Sequence, residues 1–175
     1  GGIEAEDDVG TRSVSTVNGG IRFGQRAQVD GDVETVNGGI FFDRGSNIRR
    51  GVSTVNGGIG LVDSDLGGGI ETVNGGIGLV DTDLGGGIET VNGDITVGVG
   101  SHVKGGIHVE KPGNSWGLRM GKPKVPRIVI GPNAVVEGNL LFEREVTLHV
   151  HQSARIGNVS GTTARRYNSA TPPQD

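Results

Sequence analysis

The sequence contains no cysteine, which excludes disulfide bridges and thiolate metal centres. Aromatic residues make up 3% of it, as four Phe, one Trp and one Tyr, too few for an aromatic core or a sugar-stacking groove. No apolar run approaches the roughly 18 residues that a membrane-spanning helix needs. The net charge of −4 lacks the strongly basic balance of general nucleic-acid binders. Glycine is abundant instead, at 35 of 175 residues. No Gly-X-Y period exists, so collagen is excluded, and Val and Ile recur too regularly for a disordered tract. Many tight turns in one folded domain is the reading that remains.

The string Thr-Val-Asn-Gly begins at Thr16, Thr35, Thr54, Thr72 and Thr90, at intervals of 19, 19, 18 and 18 residues. Val14, Val33, Val52, Ile70 and Ile88 open the five units; Ile21, Ile40, Ile59, Ile77 and Ile95 restart the apolar stretch after each turn. A sixth unit opens at Ile107, is interrupted from Lys111 to Arg127, and resumes at Ile128. A seventh runs from Leu140 to Gly157. This period is too short for helix-pair repeats or propeller blades. Short alternating strands between Asn-Gly and Gly-Gly turns predict one coil per unit. The expected fold is therefore all-β, a single-stranded parallel β-helix of about seven rungs, with positive φ expected at the Asn-Gly turns. Eighteen residues per coil give a perimeter of roughly 60 Å, which inward side chains fill, so ligands are expected to bind outside. The domain division is residues 1–161 as the β-helix, with an insertion at 111–127, and 162–175 as a polar C-terminal tail for which composition predicts disorder.

Several residue sets invite a chemical reading. Asn18, Asn37, Asn56, Asn74 and Asn92 fall at equivalent positions and predict a stacked amide ladder with a structural role. The threonine row resembles the arrays of ice-binding solenoids, but alternation from Val14 turns Thr16 and its equivalents inward. Asp63, Asp65, Asp81 and Asp83 repeat at 18 residues and are the candidate calcium site, since oxygen ligands suit that ion. Gly57-Gly58-Ile59-Gly60 resembles the start of the calcium-binding nonapeptide of RTX toxins, yet Val62 and Val80 stand where that motif has Asp. A solvated acidic patch, with no cofactor, is the favoured reading. His149 and His151 share a strand face and are read as surface residues, two ligands being fewer than zinc takes. The insertion holds Trp116, Arg119, Lys122 and Lys124, a basic and aromatic set expected to contact an anionic partner such as an acidic polysaccharide or another envelope component.

Ile128-Val129-Ile130-Gly131-Pro132-Asn133-Ala134-Val135-Val136-Glu137-Gly138-Asn139 resembles the strand-turn signature of bactofilins, the polymer-forming bacterial β-helix proteins. The Thr-Val-Asn-Gly units resemble bacterial β-solenoid domains classed as adhesins of unknown function. The likeness spans about 14–161. It implies a right-handed helix, no catalysis, and self-association or cell-surface placement. The functional expectation is a non-enzymatic scaffold or adhesin-like rod; the alternatives are a polysaccharide-acting β-helix enzyme and a calcium-binding solenoid. Two near-identical stacked carboxylate pairs sit in like environments, which does not supply the divergent acid and base that hydrolysis needs. Glu4, Glu6, Asp7 and Asp8 are expected to cap the exposed first edge and limit assembly to a monomer or small oligomer. Gly1-Gly2-Ile3 opens the chain without Met; Gly1 reads as foreign to the native start, and a secretory leader is one candidate for what was removed. An extracytoplasmic location is expected, with the cytoplasm as the alternative.

Overall fold

A computed structural model describes residues 1–113 and 124–174. They form 25 strands and no helix. The strands fall into three parallel sheets that the chain visits in strict rotation. The first sheet has nine strands, from Ile3–Ala5 to Ala164–Tyr167; the second has eight, from Gly10–Thr11 to Arg155–Ile156; the third has eight, from Val14–Asn18 to Val159–Ser160. The result is a right-handed parallel β-helix of about eight turns. At ~4.8 Å per rung the rod is on the order of 38 Å long.

The extra turn, beyond the seven counted from the repeat, is divided between the two ends. Ile3-Glu4-Ala5 pairs with Ile21-Arg22-Phe23 although it lacks the Thr-Val-Asn-Gly string. At the other end, Ala164–Tyr167 pairs with Leu148–His151, so part of the polar segment after 161 is a strand of the rod. Backbone groups at a sheet edge hydrogen-bond whatever the side chains are, and one buried anchor, Tyr167, holds this strand. Beyond it, the carbonyl of Pro173 accepts from the Arg127 guanidinium.

Register is unbroken along the rod. Ile21, Ile40, Ile59, Ile77, Ile95 and Ile128 stack one above another, all nearly fully buried. Inward Val, Ile and Leu from the three sheets fill the interior, and Phe23 stacks flat on Phe42 with ring centroids 4.8 Å apart. Thr35, Thr54, Thr72 and Thr90 are buried, as alternation requires, and the first three donate to the carbonyls of Gly19, Gly38 and Gly57.

Two corners differ from the expected turn chemistry. Positive φ does not recur at the Asn-Gly corner, where Gly19 alone of the five turn glycines has it. Glycine is needed there because stacked turns approach closely: a Cβ on Gly57 or Gly75 would sit 2.0 Å from the carbonyl oxygen of the turn below. The left-handed residue lies instead at the corner between the first and second sheets, in every turn but the last, at Asp8, Arg26, Gly45, Asp63, Asp81, Gly100 and Asn133. Asp, Asn and Gly tolerate that conformation best. One residue further on, buried hydroxyls line the same corner. Ser46 donates to Asp43 O at 2.8 Å, Ser64 to Val62 O at 2.8 Å and Thr82 to Val80 O at 2.8 Å.

Candidate functional surfaces

With the interior packed, any ligand chemistry belongs to the outer faces. The third sheet carries three parallel rows. Outward residues of its strands form a row Ser15, Glu34, Ser53, Glu71, Glu89 and His108. Two residues along each strand stands an apolar stripe, with Val17 60% exposed and Val36, Val55 and Val73 close to 40%. At the corner stands the asparagine row. A shallow groove of about 480 Å³ follows the polar row on one side, from Asp32 and Glu34 to His108. A second, of about 310 Å³, lies between that row and the valines.

The asparagines form a continuous hydrogen-bonded ladder. Asn37 Nδ2 donates to Asn18 Oδ1 at 2.9 Å, Asn56 to Asn37 at 2.9 Å, Asn74 to Asn56 at 2.9 Å and Asn92 to Asn74 at 3.0 Å. The ladder stops at Asn92 because the next turn has no Asn-Gly unit. There the Arg144 guanidinium donates to Asn92 Oδ1 at 2.5 Å, to Val91 O at 2.9 Å and to Lys124 O at 3.0 Å. Nothing in the spacing of the repeat points to Arg144, which lies 52 residues from Asn92 in sequence.

The second sheet bears the row Gln28, Asn47, Asp65, Asp83 and His102. A groove of about 460 Å³ there is flanked by Arg49 and Lys104. The four candidate calcium ligands divide into two kinds. Asp65 and Asp83 face outward from this sheet in register, whereas Asp63 and Asp81 are left-handed corner residues. The Asp81 carboxylate lies over Gly100 of the next turn, where a Cβ would meet it at 3.1 Å. Between each pair, Ser64 or Thr82 turns inward. Among the described residues, no group of three or more His, Asp or Glu gathers to hold a metal. The carboxylates thus repeat along the rod without converging on one point.

Trp116, Arg119 and Lys122 lie outside the described residues. Lys124 is exposed, and its ammonium is 3.0 Å from Asp94 Oδ2, while Asp94 Oδ1 accepts from the Arg127 backbone N–H. Arg155, Arg165 and Arg166 are all exposed on the last turn. The first turn is the reverse, with Glu4, Glu6, Asp7 and Asp8 exposed. There Arg26 donates to both Asp8 carboxylate oxygens, which holds the Asp8 carboxyl below its ordinary range and raises the guanidinium.

The histidines divide as well. His102 pairs with Glu137 at 2.9 Å and His108 with Glu143 at 2.8 Å, both on the surface. His149 and His151, expected at the surface, are 3% and 8% exposed. His151 meets Tyr167 edge-on, with ring centroids 5.1 Å apart, and Ser153 Oγ at 2.7 Å. The last strand pairs with theirs, setting Arg165 beside His149 and Tyr167 beside His151, which alternation within a single strand cannot reveal.

No protein family, curated protein or solved structure matches the chain. The bactofilin-type and adhesin-type likenesses therefore rest on the motifs quoted above.

Proposed function

We propose that this protein is a non-enzymatic scaffold of the bacterial envelope, a β-helical rod of bactofilin or adhesin type. The observation that carries the reading is the use made of its repeated polar residues. The amides hydrogen-bond to one another, and most of the inward hydroxyls bond to backbone carbonyls of neighbouring turns. A residue repeated in this way supports length and regularity, not a single reacting point. Charge distribution supports an anionic polymer as partner, met by the last turn, where Arg155, Arg165 and Arg166 are exposed.

Titration of the protein with an acidic polysaccharide such as polygalacturonate, followed by the fluorescence of Trp116, tests the partner. Saturable binding that weakens with salt and is lost in an Arg155→Ser, Arg165→Ser, Arg166→Ser variant supports the reading; unchanged binding by that variant rejects this end as the contact. Release of new sugar ends during incubation would replace the scaffold with an enzyme. Sedimentation velocity separates the two modes of assembly: a monomer or small oligomer is expected, and micrometre filaments would overturn the acidic cap at Glu4, Glu6, Asp7 and Asp8.

A further inference from the structure

Five Asn-Gly pairs occupy one corner of the rod, and the fold treats the last differently from the first three. An asparagine followed by glycine is open to attack by the following backbone nitrogen on its side-chain carbonyl carbon, because glycine puts no side chain in the way. That nitrogen must first give up its hydrogen-bond acceptor. In the first three pairs the acceptor is supplied by the turn above: Gly19 N–H donates to Asn37 O at 2.9 Å, Gly38 N–H to Asn56 O at 3.0 Å and Gly57 N–H to Asn74 O at 3.0 Å. At the fourth, a single bridge joins Asn74 to Asn92, and among the described residues the Gly75 N–H makes no hydrogen bond of the kind that Gly19, Gly38 and Gly57 make, so the fourth and fifth pairs part only on the carbonyl side. Above the fifth no Asn-Gly unit follows, and among the described residues nothing accepts from the Gly93 N–H.

The carbonyl side differs too. Asn18, Asn37, Asn56 and Asn74 each offer Oδ1 to a neutral amide, whereas Asn92 Oδ1 receives the Arg144 guanidinium at 2.5 Å. A cationic donor draws more electron density from the carbonyl carbon than a neutral one. We infer that Asn92 is a spontaneous modification site, the first of the five Asn-Gly pairs to become aspartyl and isoaspartyl in the folded protein. Gly93 N loses its proton and bonds to Asn92 Cγ; the Cγ–Nδ2 bond breaks, and the nitrogen leaves as ammonia. Water then opens the five-membered imide at either carbonyl, leaving aspartate or its β-linked isomer. The net change is water in and ammonia out. The new carboxylate faces Arg144, so the ladder's end gains an ion pair in place of an amide contact.

The test is ageing of the intact protein in mildly alkaline buffer, with peptide mapping that separates aspartyl from isoaspartyl products. In the native state Asn92 is expected to convert at least about fivefold faster than Asn18, Asn37 or Asn56, the factor that one protecting hydrogen bond contributes. In denaturant the five rates should converge. Equal native rates, or another Asn-Gly pair leading, would overturn the inference. So would the same Asn92 lead in denaturant, since local sequence and not the fold would then be the cause. An Asn92→Gln variant should lose the early product; its persistence would place the site elsewhere.

Discussion

Two glycines three residues apart in the same turn, Gly75 and Gly78, are expected to respond to alanine with opposite signs. A Cβ on Gly75 would lie 2.0 Å from Gly57 O and 2.4 Å from Gly57 C, both backbone atoms that cannot swing aside. Relief requires the stacked turns to part by over about 1 Å, a strain of about 1–3 kcal/mol. The same movement weakens the Asn74 to Asn56 bond and the Gly57 N–H to Asn74 O bond, at about 1 kcal/mol each. Gly75→Ala should therefore cost about 3–5 kcal/mol. Gly78 lies in strand Ile77–Val80 without positive φ, and a Cβ there meets nothing within 4 Å. Gly78→Ala should stabilise by about 0.4–1 kcal/mol, mainly by restricting the unfolded chain. For a chain of this size about 1 kcal/mol moves Tm by roughly 2–4 °C. Scanning calorimetry should show a fall of about 6–20 °C for Gly75→Ala and a rise of about 1–4 °C for Gly78→Ala. Equal shifts of one sign would refute the claim that contact between stacked turns, not turn conformation, demands glycine at the Asn-Gly corner.

Asn56 makes two ladder bonds and Asn18 one, so Asn56→Ala should cost about 1–2 kcal/mol and Asn18→Ala about half that in denaturant titrations, the exposed amides falling at the low end of the usual range. Arg144→Met removes charged donors from Val91 O, Asn92 Oδ1 and Lys124 O, and should lower stability by about 1–3 kcal/mol in the same assay. Tyr167 is the sole tyrosine and is 7% exposed, and burial pushes its phenol above the ordinary 10.0. The fold favours the neutral phenol, so this contribution is present below the unfolded value and is lost as pH rises through the folded one. Ultraviolet titration of the phenolate should give a midpoint above that of the unfolded chain; coincident midpoints would contradict the burial of the last strand. Calcium should leave Tm unchanged, because the four Asp carboxylates do not converge; a concentration-dependent rise would return them to the status of ligands.

The fold was legible in the sequence because a β-helix writes its cross-section repeatedly. The 18- and 19-residue spacing, the inward Ile rows and the inward threonines follow from alternation and stacking alone. Asn18 to Asn92 stand in a column for the same reason. Where the motif is missing the reading falls short, as at Ile3–Ala5 and Ala164–Tyr167, since backbone pairing at an edge does not require the consensus side chains. The division of the aspartates was also hidden: Asp63 and Asp65 look alike in the chain, yet one turns a left-handed corner and the other lies on a sheet face.

By itself, then, the order of residues determined which positions face the core and which columns run along the rod, because each depends only on spacing within and between units. The tertiary structure decided the rest: which corner takes positive φ, how closely one turn lies over the next, that Arg144 closes the amide ladder, and that His149 and His151 are covered. These depend on groups brought together from distant parts of the chain, and a repeat carries no record of what meets it where it ends.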